Sequence, residues 1–158
     1  MKLEDYKSLY LEKENEKKAR ERETAFREEM KIESQKAHIR GLGQDISDVC
    51  DLGQFLLDHG HDLKGKEWGG QFLDAEERNR HFIADGWFHM IGFYVNRYGS
   101  IYGIGVRAGG YCGNTDLLIE TDGEVSSWWQ EGAEQFLDGF FRFKDRLNAY
   151  AKEVLENM

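Results

Sequence analysis

The chain has 158 residues, with 21 Lys and Arg against 30 Asp and Glu and no proline. Its formal charge of −9 excludes most binders of nucleic acid and of anionic membranes, because phosphate contacts need clustered Lys and Arg. A chain of this length is normally one domain, and 40% hydrophobic residues suffice for a packed core.

Residues 1–40 predict a long charged helix. They contain 11 basic and 10 acidic side chains and no glycine, and opposite charges recur four positions apart, as at Glu14 and Lys18. An apolar heptad seam begins in the first three turns but continues through lysines, so a regular coiled coil is not predicted. We interpret the segment as a solvated helical arm, with oligomerisation through residues 3–37 as an alternative. No predicted helix concentrates positive charge on one face, which argues against a helix-turn-helix.

Residues 41–158 predict an acidic α+β globular domain. They hold 10 basic and 20 acidic side chains, so the net charge of the chain belongs to this part. A Gly-Leu-Gly sequence ends the arm, and Asp45 is placed to cap a first short helix that ends at His59. A capping-box pattern then predicts a second short helix over residues 74–84.

Three aromatic and β-branched segments predict strands, over residues 87–96, 100–107 and 115–121. The short gaps between them favour antiparallel neighbours, hence a three-stranded meander. Gly103 and Gly105 lie inside the second strand, where glycine usually marks the close approach of a backbone or a ligand. We expect a helix of the same chain to make this approach, with a partner or ligand groove as the alternative.

The C-terminal part predicts a long amphipathic helix that begins after a cap at Ser126 or Ser127 and reaches about Asn157. Its apolar stripe is continuous, so we expect it to pack on the sheet. The predicted fold is therefore α+β, with a long N-terminal charged helix, two short helices, a three-stranded antiparallel meander and this final helix.

A cluster at the end of the first short helix contains residue types that bind zinc or iron: Asp58, His59, His61 and Asp62. A His-x-His pair is common, however, and histidine at a helix C-terminus is stabilised by the helix dipole without a metal. We keep this metal site as a weak alternative and expect no metal or other cofactor.

Cys112 lies in a glycine-rich loop, where a nucleophile would be exposed, and His89 is a candidate base for it. Nothing in the spacing demands this pair, so Cys–His catalysis is also a weak alternative. Cys50 lies on an apolar helical stripe and is interpreted as a core residue. Two cysteines are too few for a disulfide scaffold, and the N-terminus lacks an apolar signal segment, so we expect a cytoplasmic protein with no membrane contact.

An acidic strip follows the third predicted strand and the turn after it, comprising Asp116, Glu120, Asp122 and Glu124, and it continues with Glu131, Glu134 and Asp138 on the following helix. Tyr94 and Arg107, on the first and second strands, complete the residues that we assign to partner binding. A strip of carboxylates favours a protein partner with a basic surface and does not favour direct contact with nucleic acid.

These observations favour a non-enzymatic protein-binding module. In size and charge the chain resembles, in general character only, the small acidic proteins that phages use to inhibit host defence, such as anti-CRISPR proteins. That resemblance implies an inhibitor that engages a basic surface of a nucleic-acid-handling complex. The alternatives are a small cytoplasmic hydrolase or metalloenzyme that uses His59 and His61 or Cys112 and His89, and an assembly subunit that oligomerises through the N-terminal helix.

Overall fold

A computed structural model describes residues 1–61, 63, 72–73, 80–84, 91–107 and 116–158, with only the backbone at 72–73 and 80–84. The described chain is α+β and divides into two compact units, Met1–Ala37 and His38–Met158. Cys112, His89 and Asp62 lie outside the described residues, as does the predicted helix between residues 74 and 79.

Helix α1, Leu3–Gly41, confirms the long charged N-terminal helix. No residue of the unit Met1–Ala37 is buried. Ion pairs one turn apart stabilise it locally, with 3.5 Å between Lys18 Nζ and Glu14 Oε1. This unit is therefore helical through local propensity and charge pairing rather than through a packed core.

Helix α2, Gly43–Asp58, follows α1 after a single residue, Leu42. The prediction that Asp45 caps this helix is wrong. Leu42 is the N-cap residue and makes no side-chain capping bond. Asp45 lies in the first turn, where it accepts a 2.7 Å hydrogen bond from Lys144 Nζ and so links α2 to the C-terminal helix.

The described strands form one antiparallel sheet of six strands in chain order. Their bounds are β1 Phe72–Leu73, β2 Arg80–Ala84, β3 Ile91–Asn96, β4 Ile101–Arg107, β5 Asp116–Glu120 and β6 Val125–Ser127. The sheet is a meander, as predicted, and it contains the three predicted strands in β3, β4 and β5.

The sheet is wider than the predicted three strands, and two local predictions are wrong. Residues 80–84 form strand β2, paired with β3, instead of the end of a helix. Ser126 and Ser127 lie in β6, and Trp129 is the N-cap of the final helix. In both places a neighbouring strand supplies the backbone hydrogen bonds, and this pairing outweighs the local helix signal.

Helix α3, Gln130–Glu156, packs on the same face of the sheet as α2. Both helices approach the sheet closely, since a Cβ added at Gly53 or at Gly139 would lie 2.8 Å from a side-chain carbon of the sheet. The core between the two layers includes Phe93, Ile104, Val106, Leu117, Ile119, Phe136, Phe140, Phe143 and Leu147. Within the described part of the chain, no helix is both long enough and apolar enough to cross a membrane.

A bulge between β3 and β4 decides which residues reach the second face of the sheet. Tyr94 pairs with Gly103, whereas Val95 pairs with Ile101, so Tyr102 is an extra residue in β4. Ile101 therefore packs against the core, and the ring of Tyr102 lies 6.0 Å from that of Tyr94 on the other face.

Candidate functional site

The turn between β5 and β6 carries the exposed part of the predicted acidic strip. Glu120, Asp122 and Glu124 are all exposed, and we call these three residues the acidic turn. Among the residues that the structure describes, none of the three carboxylates has an ion-pair partner. Their negative charge is therefore available to a basic group outside this part of the chain.

The acidic turn is held rigidly by its own backbone. The N–H of Glu120 donates to the Glu124 carbonyl at 2.8 Å, and the N–H of Gly123 donates to the Glu120 carbonyl at 2.9 Å. Gly123 has φ +93°, the left-handed conformation that closes a three-residue hairpin loop. The Asp122 carboxylate also accepts from the Glu124 N–H at 2.9 Å. These hydrogen bonds fix the backbone of the turn and the carboxylate of Asp122 before any partner binds.

Asp116 differs from the residues of the acidic turn because it forms an ion pair with Arg107. It lies directly opposite Arg107 in the β4–β5 register, with 3.3 Å between Arg107 Nε and Asp116 Oδ1. The two side chains are only 25% and 19% exposed, respectively. Because the guanidinium balances this carboxylate, Asp116 adds little to the negative charge at the surface. Around β5, the exposed and unpaired carboxylates are those of the acidic turn.

Tyr94, also assigned to partner binding, is 4% exposed. Its hydroxyl lies 3.2 Å from the Leu117 carbonyl and 3.4 Å from the Val106 carbonyl, within hydrogen-bond reach of both. Burial, and after it the charge of Asp116, raises the pKa of the Tyr94 phenol. The phenol is thus a neutral donor inside the sheet layer, and Tyr102 beside it is the more exposed of the two rings.

The glycines of β4 are approached by the sheet itself. A Cβ added at Gly103 would lie 2.7 Å from the Ile119 carbonyl oxygen, and one added at Gly105 would overlap the Leu117 carbonyl oxygen. The Tyr94 ring lies 3.2 Å from the same position at Gly105. The expectation that a helix makes this approach is therefore wrong, since within the described residues the nearest atoms belong to β5 and to Tyr94.

The histidines predicted as metal ligands are at the C-terminal end of α2. His59 Nδ1 lies 2.8 Å from the Phe55 carbonyl oxygen, and Asp58 accepts from Gln54 Nε2 at 2.8 Å. Within the ranges that the structure describes, no three His, Cys, Asp or Glu side chains are close enough together to hold a metal ion. The metal alternative has no supporting geometry in these ranges.

Cys50 is buried in the core, as its position on the apolar stripe predicts. Burial, and after it the charge of Asp51, raises the pKa of this thiol to about 12. The thiolate is the nucleophilic form, so Cys50 is inert at neutral pH.

Stability should fall in alkaline solution partly because of Cys50. An unfolded thiol ionises near pH 8.5, whereas the folded one stays neutral up to about pH 12, so its contribution is complete below the unfolded pKa and is lost as pH rises. Between about pH 9 and pH 11 we expect the unfolding free energy of Cys50→Ala to fall by about 1 kcal/mol less per pH unit than that of the wild type. Urea unfolding at several pH values measures this difference.

The control for this experiment is Val49→Ala, which truncates a neighbouring buried side chain that carries no titratable group. We expect it to follow the wild-type pH dependence. Equal losses in Cys50→Ala and in the wild type would contradict the assignment to the buried thiol.

Two charged stripes were missed by the sequence analysis. The exposed side of α2 carries Asp48, Asp51 and Asp58 around an exposed Phe55. One side of α1 also carries five of the ten Lys and Arg of this helix, together with Thr24 and no Asp or Glu. Plotting each residue at 3.6 per turn would have found both stripes.

Comparisons with protein families, curated proteins and solved structures find no match for this chain.

Proposed function

We propose that this protein is a non-enzymatic binding module that engages a basic surface of a protein partner through the acidic turn. The observation that carries the proposal is that three exposed carboxylates without an ion-pair partner in the described chain lie together on a hydrogen-bonded hairpin. Charge of this kind steers association and sets partner choice. A nucleic-acid-handling complex is the partner class that we propose, because its basic cleft is adapted to polyanions.

The cost of the acidic turn to the folded protein also supports a binding role. Glu120 and Glu124 lie opposite each other where β5 meets β6, with Cβ atoms about 5 Å apart for such a pair. Like charges in this arrangement destabilise a hairpin. A basic partner would relieve the repulsion between Glu120 and Glu124, and this relief would make binding more favourable.

The backing of the turn supports the same proposal. Gly123 lies against Gly43, at the start of α2, so closely that a Cβ added at Gly123 would be 2.9 Å from the Gly43 Cα. The turn is thereby seated on the body of the domain, and binding should need little ordering of the backbone.

Neutralising the acidic turn should weaken binding to a basic probe. The variant Glu120→Gln, Asp122→Asn and Glu124→Gln keeps side-chain size and keeps an acceptor for the Glu124 N–H. With a fluorescent 20-residue Lys/Arg peptide at low salt, we expect affinity to fall at least tenfold and the salt dependence to become shallower. Fluorescence anisotropy titrations at several salt concentrations measure both.

The matched control neutralises three exposed acids of α1, Glu4, Glu12 and Glu29, and changes the net charge equally. We expect less than a twofold effect. An equal loss in both triple variants would show that net charge alone attracts the peptide, and the proposal would then fail.

A further inference from the structure

The exposed side of α2 is a regular stripe directed away from the core. Its members recur with the alternating spacing of four and three residues that two packed helices use: Gln44, Asp48, Asp51, Phe55 and Asp58. Phe55 is 54% exposed, and the ring of His59 lies 4.3 Å from it. An aromatic side chain ringed by polar groups is typical of a binding surface.

This α2 stripe is negatively charged, and its carboxylates form no ion pair within the part of the chain that the structure describes, although Lys144 also attracts Asp48. Helix α2 contains four Asp and no Lys or Arg, and only Asp45 forms an ion pair in the described chain. Asp48 and Asp58 accept hydrogen bonds from neutral glutamines, which leave their charge in place. Asp58 also lies at the C-terminal end of the helix, where a negative charge opposes the dipole.

A stripe of opposite charge runs along α1 with the same spacing. Its members are Lys13, Lys17, Arg20, Thr24, Arg27 and Lys31. At 3.6 residues per turn they occupy about 80° of the helix surface, and no Asp or Glu projects within that arc. All six side chains are exposed, and Arg27 is also paired within its own helix with Glu23, at 2.6 Å.

We propose that the basic stripe of α1 in one copy of this chain docks on the acidic stripe of α2 in a second copy. With the helices parallel and Thr24 opposite Phe55, three ion pairs come into register: Lys17–Asp48, Arg20–Asp51 and Arg27–Asp58. Both charge complementarity and the common heptad spacing select this occupant. The contact is independent of the acidic turn and goes beyond the proposed function.

The basic stripes do not pair with each other. In a contact between two α1 stripes, lysine and arginine would face lysine and arginine, which is destabilising. The apolar residues of the first turns supply only a short seam. Oligomerisation through α1 therefore requires a different surface on the second copy, and the α2 stripe has the matching charge.

The test is a charge exchange between the two stripes of the full chain. One variant carries Lys17→Glu, Arg20→Glu and Arg27→Glu, and the other carries Asp48→Lys, Asp51→Lys and Asp58→Lys. In sedimentation velocity at low salt, the wild type should associate beyond its 18.4 kDa monomer mass. Each variant alone should associate at least tenfold more weakly, and an equimolar mixture of the two should recover association.

A matched control reverses three cations on the other side of α1, Lys7→Glu, Lys18→Glu and Arg22→Glu, and should associate at least as strongly as the wild type. Circular dichroism on every variant shows whether its helices are intact. A wild type that stays monomeric at about 100 μM would overturn the proposal, as would a mixture of intact variants that does not recover association.

Discussion

Replacing Gly105 by alanine should lower the free energy of unfolding by about 3 kcal/mol. The added Cβ would overlap the Leu117 carbonyl oxygen of β5, and the Tyr94 ring lies only 3.2 Å away on the same side. Relief requires β4 and β5 to separate, because a backbone carbonyl cannot rotate away as a flexible side chain can. Urea unfolding followed by circular dichroism measures the change.

Gly41→Ala is the matched control, because the residue is helical and, among the described residues, no atom beyond its chain neighbours and its own helix backbone lies within 4 Å of the added Cβ. This substitution should stabilise the protein by up to about 1 kcal/mol, since alanine loses less backbone entropy in a helix. If Gly105→Ala were as stable as the wild type, the close contact between β4 and β5 would be wrong.

Replacing Phe140 by alanine should cost about 3–5 kcal/mol. Its side chain is 0% exposed, and its ring stacks 5.0 Å from that of Phe136 between α3 and the sheet. The truncation removes transfer energy and leaves a cavity that the surrounding rings can fill only in part. Thermal and urea unfolding both measure this loss.

The adjacent Phe141 provides the comparison for this effect. It is 50% exposed on the same helix, so Phe141→Ala should change stability by less than about 1 kcal/mol. Equal losses at the two positions would mean that α3 is not seated on the sheet by this face.

The helices were largely predictable from the sequence, and the sheet only in part. The charged arm has opposite charges four positions apart, and the apolar face of α2 around Cys50 and that of the long C-terminal helix recur every 3.6 residues. Residues 80–84 carried a helix signal from the acidic residues before them. Only pairing with β3 makes them a strand, and the residues of β3 lie outside the few residues from which the helix signal is read.

The sequence predicted which residues belong to the candidate site better than it predicted how they pair and pack. Glu120, Asp122 and Glu124 are exposed, as an acidic strip requires. Strand alternation places Asp116 and Arg107 on one face, but their ion pair depends on the cross-strand register. Likewise, the alternation of side chains along a strand does not predict how deeply each one is buried. Tyr94 is buried because the glycines of β4 leave room for its ring.

The sequence by itself determined the division of charge along the chain. The arm, residues 1–40, has a net charge of +1 and is internally paired, whereas residues 41–158 have a net charge of −10. Tertiary structure decided how that charge is presented. Ion pairs neutralise Asp45 and Asp116, whereas the acidic turn and the α2 stripe stay exposed. Charge balance depends on neighbours within a few ångströms, and folding, rather than sequence order, chooses those neighbours.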